Sequence, residues 1–369
     1  MRQATVNLLD RALLSFTGDD QPVITFSLDY QGKAPALELL ARRVAERSVL
    51  PPGAGVFHAH GDLDEETDRI ARRPFGRALW DLWLITSGDR FRVCLRAHHG
   101  FIDGVGLSHV AAALLPDSPG EGDRLHTAAM PTVRGLARAF KDFTGLLTHR
   151  SPWAPIPRPD AGARSAYRDV PVKALRAKAD NYGVSVNDVS VAALGLALGE
   201  WQRARVPERA RRDVVVCVAV STRTPQERFH LGNRLAVYRL RLPHALRSWD
   251  DAVSLVRGHT DKVRETRQRD ALRLALKVPG SLRPGVRLFR ATLAPRATPF
   301  TVSSVSLPQH HTLFGAEMRA AGMTLNVFEG FPAYISFTRT PENLRCAAVA
   351  DTARGALLAV PEHWANRLV

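Results

Sequence analysis

The chain of 369 residues is poor in cysteine, with only Cys94, Cys217 and Cys346. These residues lie far apart and no C-x-x-C pair occurs, so the sequence indicates neither a disulfide framework nor a zinc site. Cys94 and Cys217 fall in apolar, strand-like runs, which predicts buried thiols. The G-x-S-x-G turn of a serine nucleophile is also missing. The sequence therefore predicts no bound metal and no covalent nucleophile.

Long apolar runs are missing as well. No run approaches the roughly 18 apolar residues that a membrane-spanning helix needs. The N-terminal segment carries Asp10 and lacks the pattern of a secretory signal peptide. These absences predict a cytoplasmic protein.

Lysine is scarce, yet the chain is strongly basic through its arginines. It holds 51 Lys and Arg residues against 36 Asp and Glu residues, a net charge of +15. A basic surface attracts polyanions, of which nucleic acid is one. However, the sequence has no zinc-finger spacing, no RNP-like motif and no basic stretch interleaved with aromatic residues. We therefore expect no nucleic-acid partner.

The most informative segment is residues 98–104, which read HHGFIDG. Residues 91–97 alternate apolar and polar side chains as a strand does, and residues 107–115 are apolar and alanine-rich as in a helix. The segment therefore lies at a strand-to-helix turn, where a rigid frame can expose reactive side chains. A second pair, His310 and His311, lacks the following Asp-Gly and is predicted to lie in a loop.

The residue types in this segment suit proton transfer. A neutral imidazole is a suitable general base because its pKa lies near working pH, and such a base contributes on the order of 10² to 10⁴ in rate. An aspartate beside a guanidinium stays ionised and can hold a turn. Gly104 permits close approach of the backbone.

The H-H-x-x-x-D-G pattern resembles the active-site motif of the acyltransferases that use coenzyme A or carrier proteins. This superfamily includes chloramphenicol acetyltransferase, the peptide-synthetase condensation domains and the bacterial wax ester synthase/diacylglycerol acyltransferases. The resemblance implies that His99 is the general base and that His98 orients its neighbours. It also implies that Asp103 forms a structural salt bridge, for which Arg223 is the candidate partner.

Further segments resemble the wax ester synthase-like members in the same order along the chain. Residues 78–80 read Ala-Leu-Trp where those enzymes have Pro-Leu-Trp, and Asn187-Asp188 matches an Asn-Asp motif that opens a helix. Residues 220–223 and 231–234 match a strand and a Gly-Asn loop. By this resemblance Asn187 and Asp188 support the site, as Gly104 and Arg223 do. Trp80, Ser303 and Ser304 are the candidate substrate-binding residues.

The resemblance implies an α/β fold of two chloramphenicol-acetyltransferase-like lobes, each a mixed sheet flanked by helices, with an active-site tunnel between them. We expect an N-terminal lobe at residues 1–150, a proline-rich linker at 151–165 and a C-terminal lobe at 166–369. Residues 133–148 are predicted to form a basic amphipathic helix that packs in the core or docks on a membrane or carrier protein. Residues 249–270 are predicted to form one helix.

The resulting hypothesis is transfer of an acyl group from a thioester to a hydroxyl, in preference to an amine. The donor would be acyl-CoA or an acidic acyl or peptidyl carrier protein, with no bound cofactor. The acceptor would be a small molecule or a lipid, and peripheral membrane contact is compatible with the charge. Two alternatives stay open: a non-transferase reaction, such as a cyclisation or rearrangement of a natural product, and a non-catalytic binding protein.

Overall fold

A computed structural model describes residues 6–51, 55–149, 163–277, 281–293, 300–326 and 333–369. The helices are α1 (Leu8–Leu14), α2 (Leu37–Arg47), α3 (Leu63–Ala71), α4 (Gly104–Leu114), α5 (Val133–Thr148), α6 (Val172–Tyr182), α7 (Val186–Arg205), α8 (Trp249–Glu265), α9 (Gln268–Ala275), α10 (Arg283–Thr292) and α11 (Val360–Ala365). The strands are β1 (Val23–Gln31), β2 (Val56–His60), β3 (Trp80–Ser87), β4 (Arg90–His98), β5 (Ala163–Pro171), β6 (Val214–Ser221), β7 (Leu235–Leu242), β8 (Phe300–Ser306), β9 (Thr312–Leu313), β10 (Ala316–Leu325), β11 (Tyr334–Arg339) and β12 (Asn343–Asp351).

The first sheet has six strands in the order β2-β3-β4-β1-β10-β9. Strands β2 and β3 are parallel and the other neighbours are antiparallel. Gly88, with φ of 62°, turns the chain between β3 and β4. Strand β4 lies between β3 and β1, where Val23 pairs with His98. The sheet therefore holds the start of the histidine motif at the end of an interior strand.

The second sheet also has six strands, in the order β5-β12-β11-β8-β6-β7. Strand β8 runs parallel to both β11 and β6, and the other pairs are antiparallel. Each sheet builds its own hydrophobic core with the helices that pack on it. The structure thus confirms the predicted α/β fold with two mixed sheets.

One strand does not follow the predicted division of the chain. Strand β10 comes from the range assigned to the C-terminal lobe, 166–369, but pairs with β1 of the first sheet. Its residues Ala321, Met323 and Leu325 are buried in the first core, which explains why the strand crosses. The predicted linker also differs, because its last three residues belong to β5, while residues 151–162 lie outside the described part of the chain.

Helix α7 is the centre of the second core. Its side chains are apolar and buried around most of its circumference, as expected for a helix enclosed by protein. Ser185 caps it by accepting from the Asp188 N–H, and Asp188 accepts from the Ser185 N–H in return.

Among the described residues no single helix has the length and composition to span a membrane. Helices α6 and α7 meet that test only together, and they are bent by 95° relative to each other.

The predicted helix over residues 249–270 is two helices in the structure. Helix α8 ends at Glu265, Arg267 takes a left-handed φ of 51°, and α9 follows. The start of α5 packs against this break: the Thr132 hydroxyl donates to the Thr266 carbonyl at 2.6 Å. A Cβ on Gly135 would lie 2.1 Å from the same carbonyl oxygen. The break therefore allows α5 and α9 to lie side by side.

Candidate functional site

His99 follows β4 directly, and both of its backbone polar groups are paired. Its N–H donates to the Pro22 carbonyl at 2.7 Å. Its carbonyl accepts from the Asn233 side-chain amide, also at 2.7 Å. Because these partners come from opposite halves of the chain, the position of His99 is fixed by the junction between the halves.

The imidazole of His99 is largely enclosed by protein. Its Nδ1 is buried and has no hydrogen-bond partner among the described residues, while the side chain borders two cavities. Burial lowers the pKa of His99, and its own backbone and the nearby Asp103 and Asp10 carboxylates oppose that shift only in part. The ring is therefore neutral at neutral pH and can accept a proton.

His98 has a different environment from its neighbour. It is buried at the end of β4, and its Nδ1 accepts from the Gly100 N–H at 3.0 Å. Burial and the adjacent His99 lower the pKa of His98 to about 4. The neutral ring thus closes the turn, and it does not line either cavity.

Asp103 begins α4 and forms a buried ion pair with Arg223. Its Oδ2 accepts from the Arg223 Nη2 and from the Arg234 N–H, each at 2.7 Å, and its Oδ1 accepts from the Gly106 N–H at 2.7 Å. Burial alone would raise the pKa of Asp103, but the Arg223 guanidinium and these hydrogen bonds hold it below its usual value. The charged pair joins the histidine turn to the loop after β6.

Asp10 gave no functional signal in the sequence, whereas its contact Gly232 lies in the segment 231–234 that resembles a Gly-Asn loop. Asp10, on α1, accepts from both the N–H and the side-chain amide of Asn233, at 2.6 and 2.8 Å. Burial raises the pKa of Asp10. Gly232 has a φ of 81°, and a Cβ there would lie 2.6 Å from an Asp10 carboxylate oxygen. The only cue for Asp10 is its place three residues after Asn7, a helix-capping pattern that the structure contains.

The supporting residues on the second half lie around β8. The Ser304 hydroxyl donates to the Asn187 side-chain oxygen at 2.6 Å, which ties β8 to the start of α7. Ser303 borders both cavities, whereas the Asp188 carboxylate is occupied by the cap of α7.

Gly104, in the first half of the chain, leaves room for Met323. A Cβ on Gly104 would lie 2.5 Å from the Met323 sulfur, so a side chain there would displace Met323 from the smaller cavity.

The structure places Trp80 away from the site, contrary to its predicted role in substrate binding. Trp80 starts β3 and is 3% exposed in the first core. Its indole N–H donates to the Pro51 carbonyl at 3.2 Å, and it lines neither cavity. Trp80 therefore packs in the core, a role that suits a large aromatic residue at the start of a buried strand.

His99 lies where two cavities meet between the sheets. The larger has a volume of about 660 Å³ and is walled mainly by apolar side chains of α1, α5, α9, α10 and strands β6–β8. The smaller, about 40 Å³, includes Asp103, Gly104 and Ser304. Ser303 and Tyr334 border both, as His99 does. The larger volume falls within the usual range for small-molecule sites.

No group of three or more metal-ligating side chains occurs in the part of the chain that the structure describes. The sequence comparison with protein-family models also found no match. The remaining comparisons therefore carry the assignment of the fold.

Proteins provisionally named diacylglycerol O-acyltransferase are similar in sequence. One from Mycobacterium tuberculosis is 30% identical, over 41% of this chain and 37% of its own length. One from Mycobacterium bovis is 28% identical over the same shares. The chain thus matches little more than a third of the length of these relatives.

Solved structures are similar over almost the whole chain. The wax ester synthase/diacylglycerol acyltransferase of Marinobacter aquaeolei VT8 aligns with a TM-score of 0.59 at 16% identity, covering 98% of each chain. The first condensation domain of the calcium-dependent antibiotic synthetase, solved with a substrate analogue, aligns at 0.61 and 19% identity, covering 99% of this chain and 94% of that one. A starter condensation domain of rhizomide synthetase in complex with C8-CoA aligns at 0.56 and 14% identity, covering 95% and 89%. This chain has the condensation-domain and chloramphenicol-acetyltransferase-like fold of the acyltransferases.

Proposed function

We propose that the protein transfers an acyl group from a thioester to a hydroxyl, with His99 as the general base. Acyl transfer in general is supported by the names of its relatives and structural neighbours. The observation that carries the finer proposal is the neutral imidazole on the wall of the large apolar cavity, because a proton acceptor there can reach a substrate hydroxyl. A hydroxyl is preferred over an amine because an amine is protonated at neutral pH.

The reaction follows from one proton acceptor and no covalent intermediate. His99 takes the proton from the acceptor hydroxyl as its oxygen attacks the thioester carbonyl. The tetrahedral intermediate then breaks its carbon–sulfur bond, and the imidazolium returns the proton to the departing thiolate. The products are an ester and a free thiol. The Asp103 and Asp10 carboxylates stabilise the transient positive charge on the ring.

Ser303 and Tyr334 are suitable donors to the carbonyl oxygen of the donor substrate. Both border the same two cavities as His99. Burial raises the pKa of Tyr334, so its hydroxyl keeps its proton and can donate it in a hydrogen bond. Removing one hydrogen-bond donor that points at a developing oxyanion lowers the rate by about 10² to 10³.

The substrates are proposed from the chemistry of the cavities. The apolar walls of the larger cavity suit an acyl chain or the body of a lipid acceptor. The donor is acyl-CoA or an acyl carrier protein, because both carry a thioester on a phosphorylated arm that a basic protein attracts. No resident cofactor is needed for this reaction.

The test is release of free thiol. Purified protein is incubated with a panel of acyl-CoAs and one acyl carrier protein, together with mixed alcohol and amine acceptors. The His99→Ala variant removes the base, and His310→Ala, at the exposed member of the second histidine pair, is the matched control. We expect release by the wild type and by His310→Ala, and a loss of about 10² to 10⁴ in rate for His99→Ala.

Two results would contradict the proposal. Equal release by the wild type and His99→Ala would remove His99 from the chemistry. No release from any donor by a well-folded protein would favour the non-transferase reaction or the non-catalytic binding protein. Circular dichroism of all three proteins establishes that they are folded.

A further inference from the structure

Exposed apolar side chains are concentrated on one face of the protein, around three helices. We call it the mouth face and define it as residues 130–148, 268–277 and 282–292, which include α5, α9 and α10. Of the twelve large apolar side chains that are highly exposed among the described residues, seven lie here. Contiguous exposed apolar patches mark sites of interaction with proteins, membranes or ligands.

The mouth face surrounds an opening of the larger cavity. Leu136, Phe140, Leu274 and Leu288 line that cavity and are also between 39% and 69% exposed to solvent. A side chain that does both lies at the rim, so the cavity reaches the surface between α5, α9 and α10. Met130, Val133 and Leu282 extend the apolar surface beyond the rim, at 78%, 83% and 52% exposure.

The charge of the mouth face has a single sign at its surface. Six cationic side chains are exposed there: Arg134, Lys141, Lys277, Arg283, Arg287 and Arg290. The two carboxylates in the same ranges, Asp142 and Asp270, are partly or wholly buried and bonded to Gln268 and His126. No ion pair joins the six cations to a carboxylate of the described residues. The face therefore presents apolar side chains and unneutralised positive charge together.

We propose that the mouth face docks on an anionic lipid surface. Amphipathic helices with apolar and basic side chains lie in the interface of such membranes, where apolar groups enter the headgroup region and cations contact phosphates. A lipid surface explains why the exposed apolar residues surround the opening of an apolar cavity. The acyl chain of a lipid substrate could pass from the bilayer into that cavity without crossing water. An acidic carrier protein would account for the cations but needs no apolar rim.

Vesicle binding tests the proposal without turnover. The protein is sedimented with vesicles of phosphatidylcholine alone, or of two parts phosphatidylcholine to one part phosphatidylglycerol. Two variants alter the face beyond the cavity: Val133→Ser with Arg134→Glu, and Leu282→Ser with Arg287→Glu. The first should preserve α5, because a glutamate in the first turn of a helix is favourable. The matched control on α2 is Leu39→Ser with Arg42→Glu, where both side chains are exposed.

We expect the wild type and the α2 control to bind the anionic vesicles, more weakly at high salt because screening reduces the attraction. Each mouth-face variant should bind at least about tenfold less tightly, since every cation near the surface contributes to the attraction. Absence of binding by the wild type, or equal binding by all variants, would overturn the proposal. So would binding of an acyl carrier protein in place of vesicles, lost in the mouth-face variants.

The proposal rests on the proposed function only for the route of the substrate. Thiol release from a short, water-soluble acyl-CoA needs no vesicle, and sedimentation needs no catalysis. A protein that binds vesicles without releasing thiol would contradict acyl transfer alone. One that releases thiol without binding vesicles would contradict docking alone.

Discussion

At the scale of single residues, the site depends on buried polar groups that pair across the two halves of the chain. The pairing of Asp103 with Arg223 was predictable, because a family resemblance connects two motifs that are far apart in sequence. The role of Asp10 was not, since its partner Asn233 is 223 positions away and a capping aspartate has a sufficient local explanation. Local sequence patterns carry no information about such distant partners.

Removing the buried cation should destabilise the protein strongly. In Arg223→Ala, Asp103 keeps its charge in a buried position without a guanidinium, so the free energy of unfolding should fall by about 3–5 kcal/mol. Urea unfolding followed by circular dichroism measures this. Arg168→Ala, which removes an exposed partner of Glu362, should change the free energy by less than about 1 kcal/mol. Similar losses in both variants would contradict the importance of burial.

Buried histidines should make stability depend on pH. Burial and nearby arginines lower the pKa of His109 to about 4, whereas an unfolded histidine titrates near 6.5. Between these pH values the unfolded chain binds a proton that the folded chain does not. This contribution is fully present above pH ~6.5 and is lost as the pH falls towards ~4, by up to about 1.4 kcal/mol per pH unit.

The variant His109→Asn tests this contribution, because the asparagine Oδ1 lies where Nδ1 does and can still accept the bond that Nδ1 receives from the Gly122 N–H at 3.1 Å. Urea unfolding at several pH values between ~6.5 and ~4 should show a shallower loss of stability in the variant than in the wild type. If the free energy of unfolding fell equally with pH in the two proteins, the lowered pKa of His109 would not contribute to stability.

At the scale of elements, the close contact of α5 with the end of α8 shapes the cavity. Hydrophobic periodicity correctly predicted α5 but extended the helix from Trp249 through the break at Arg267, because the residues there have no helix-breaking sequence. The break is imposed by packing: the Thr132 hydroxyl and Gly135 both meet the Thr266 carbonyl. A helix end of this kind is determined by tertiary contacts and cannot be predicted from the local sequence.

Gly135→Ala should loosen this junction. The new Cβ would collide with a backbone oxygen at 2.1 Å, which cannot rotate away, so we expect a loss of about 1–3 kcal/mol in the free energy of unfolding. The control is Gly258→Ala in the interior of α8, where nothing lies within 4 Å of the added methyl. Alanine should stabilise the protein there by about 0.5–1 kcal/mol. Opposite signs in thermal unfolding are the expected result, and equal signs would contradict the contact.

At the scale of the whole molecule, the sequence was sufficient for the fold class and insufficient for the division into lobes. Nothing in the sequence of β10 shows that this strand joins the first sheet and not the second. That choice depends on side-chain fit with β1, about 300 residues earlier, as in the bond from the Ser27 hydroxyl to the Gly322 carbonyl, which spans 295 positions. Trp80 shows the same limit of sequence-based prediction. A tryptophan that binds substrate and a tryptophan that packs in the core cannot be distinguished by residue type, and Trp80 is buried in the core.

The crossing of β10 also bears on how the chain reaches its native state. Strand β1 pairs with β4 early in the sequence, but its other edge stays open until a partner 303 positions later arrives, as between Val23 and Asn326. Loop closure over such distances slows folding. During synthesis the first sheet therefore presents an unpaired edge, a template for association with other chains, until Ala316–Leu325 have emerged and paired. Strand β10, whose Met323 and Leu325 border the cavities beside His99, therefore also covers the edge of the first sheet and protects it from association with other chains.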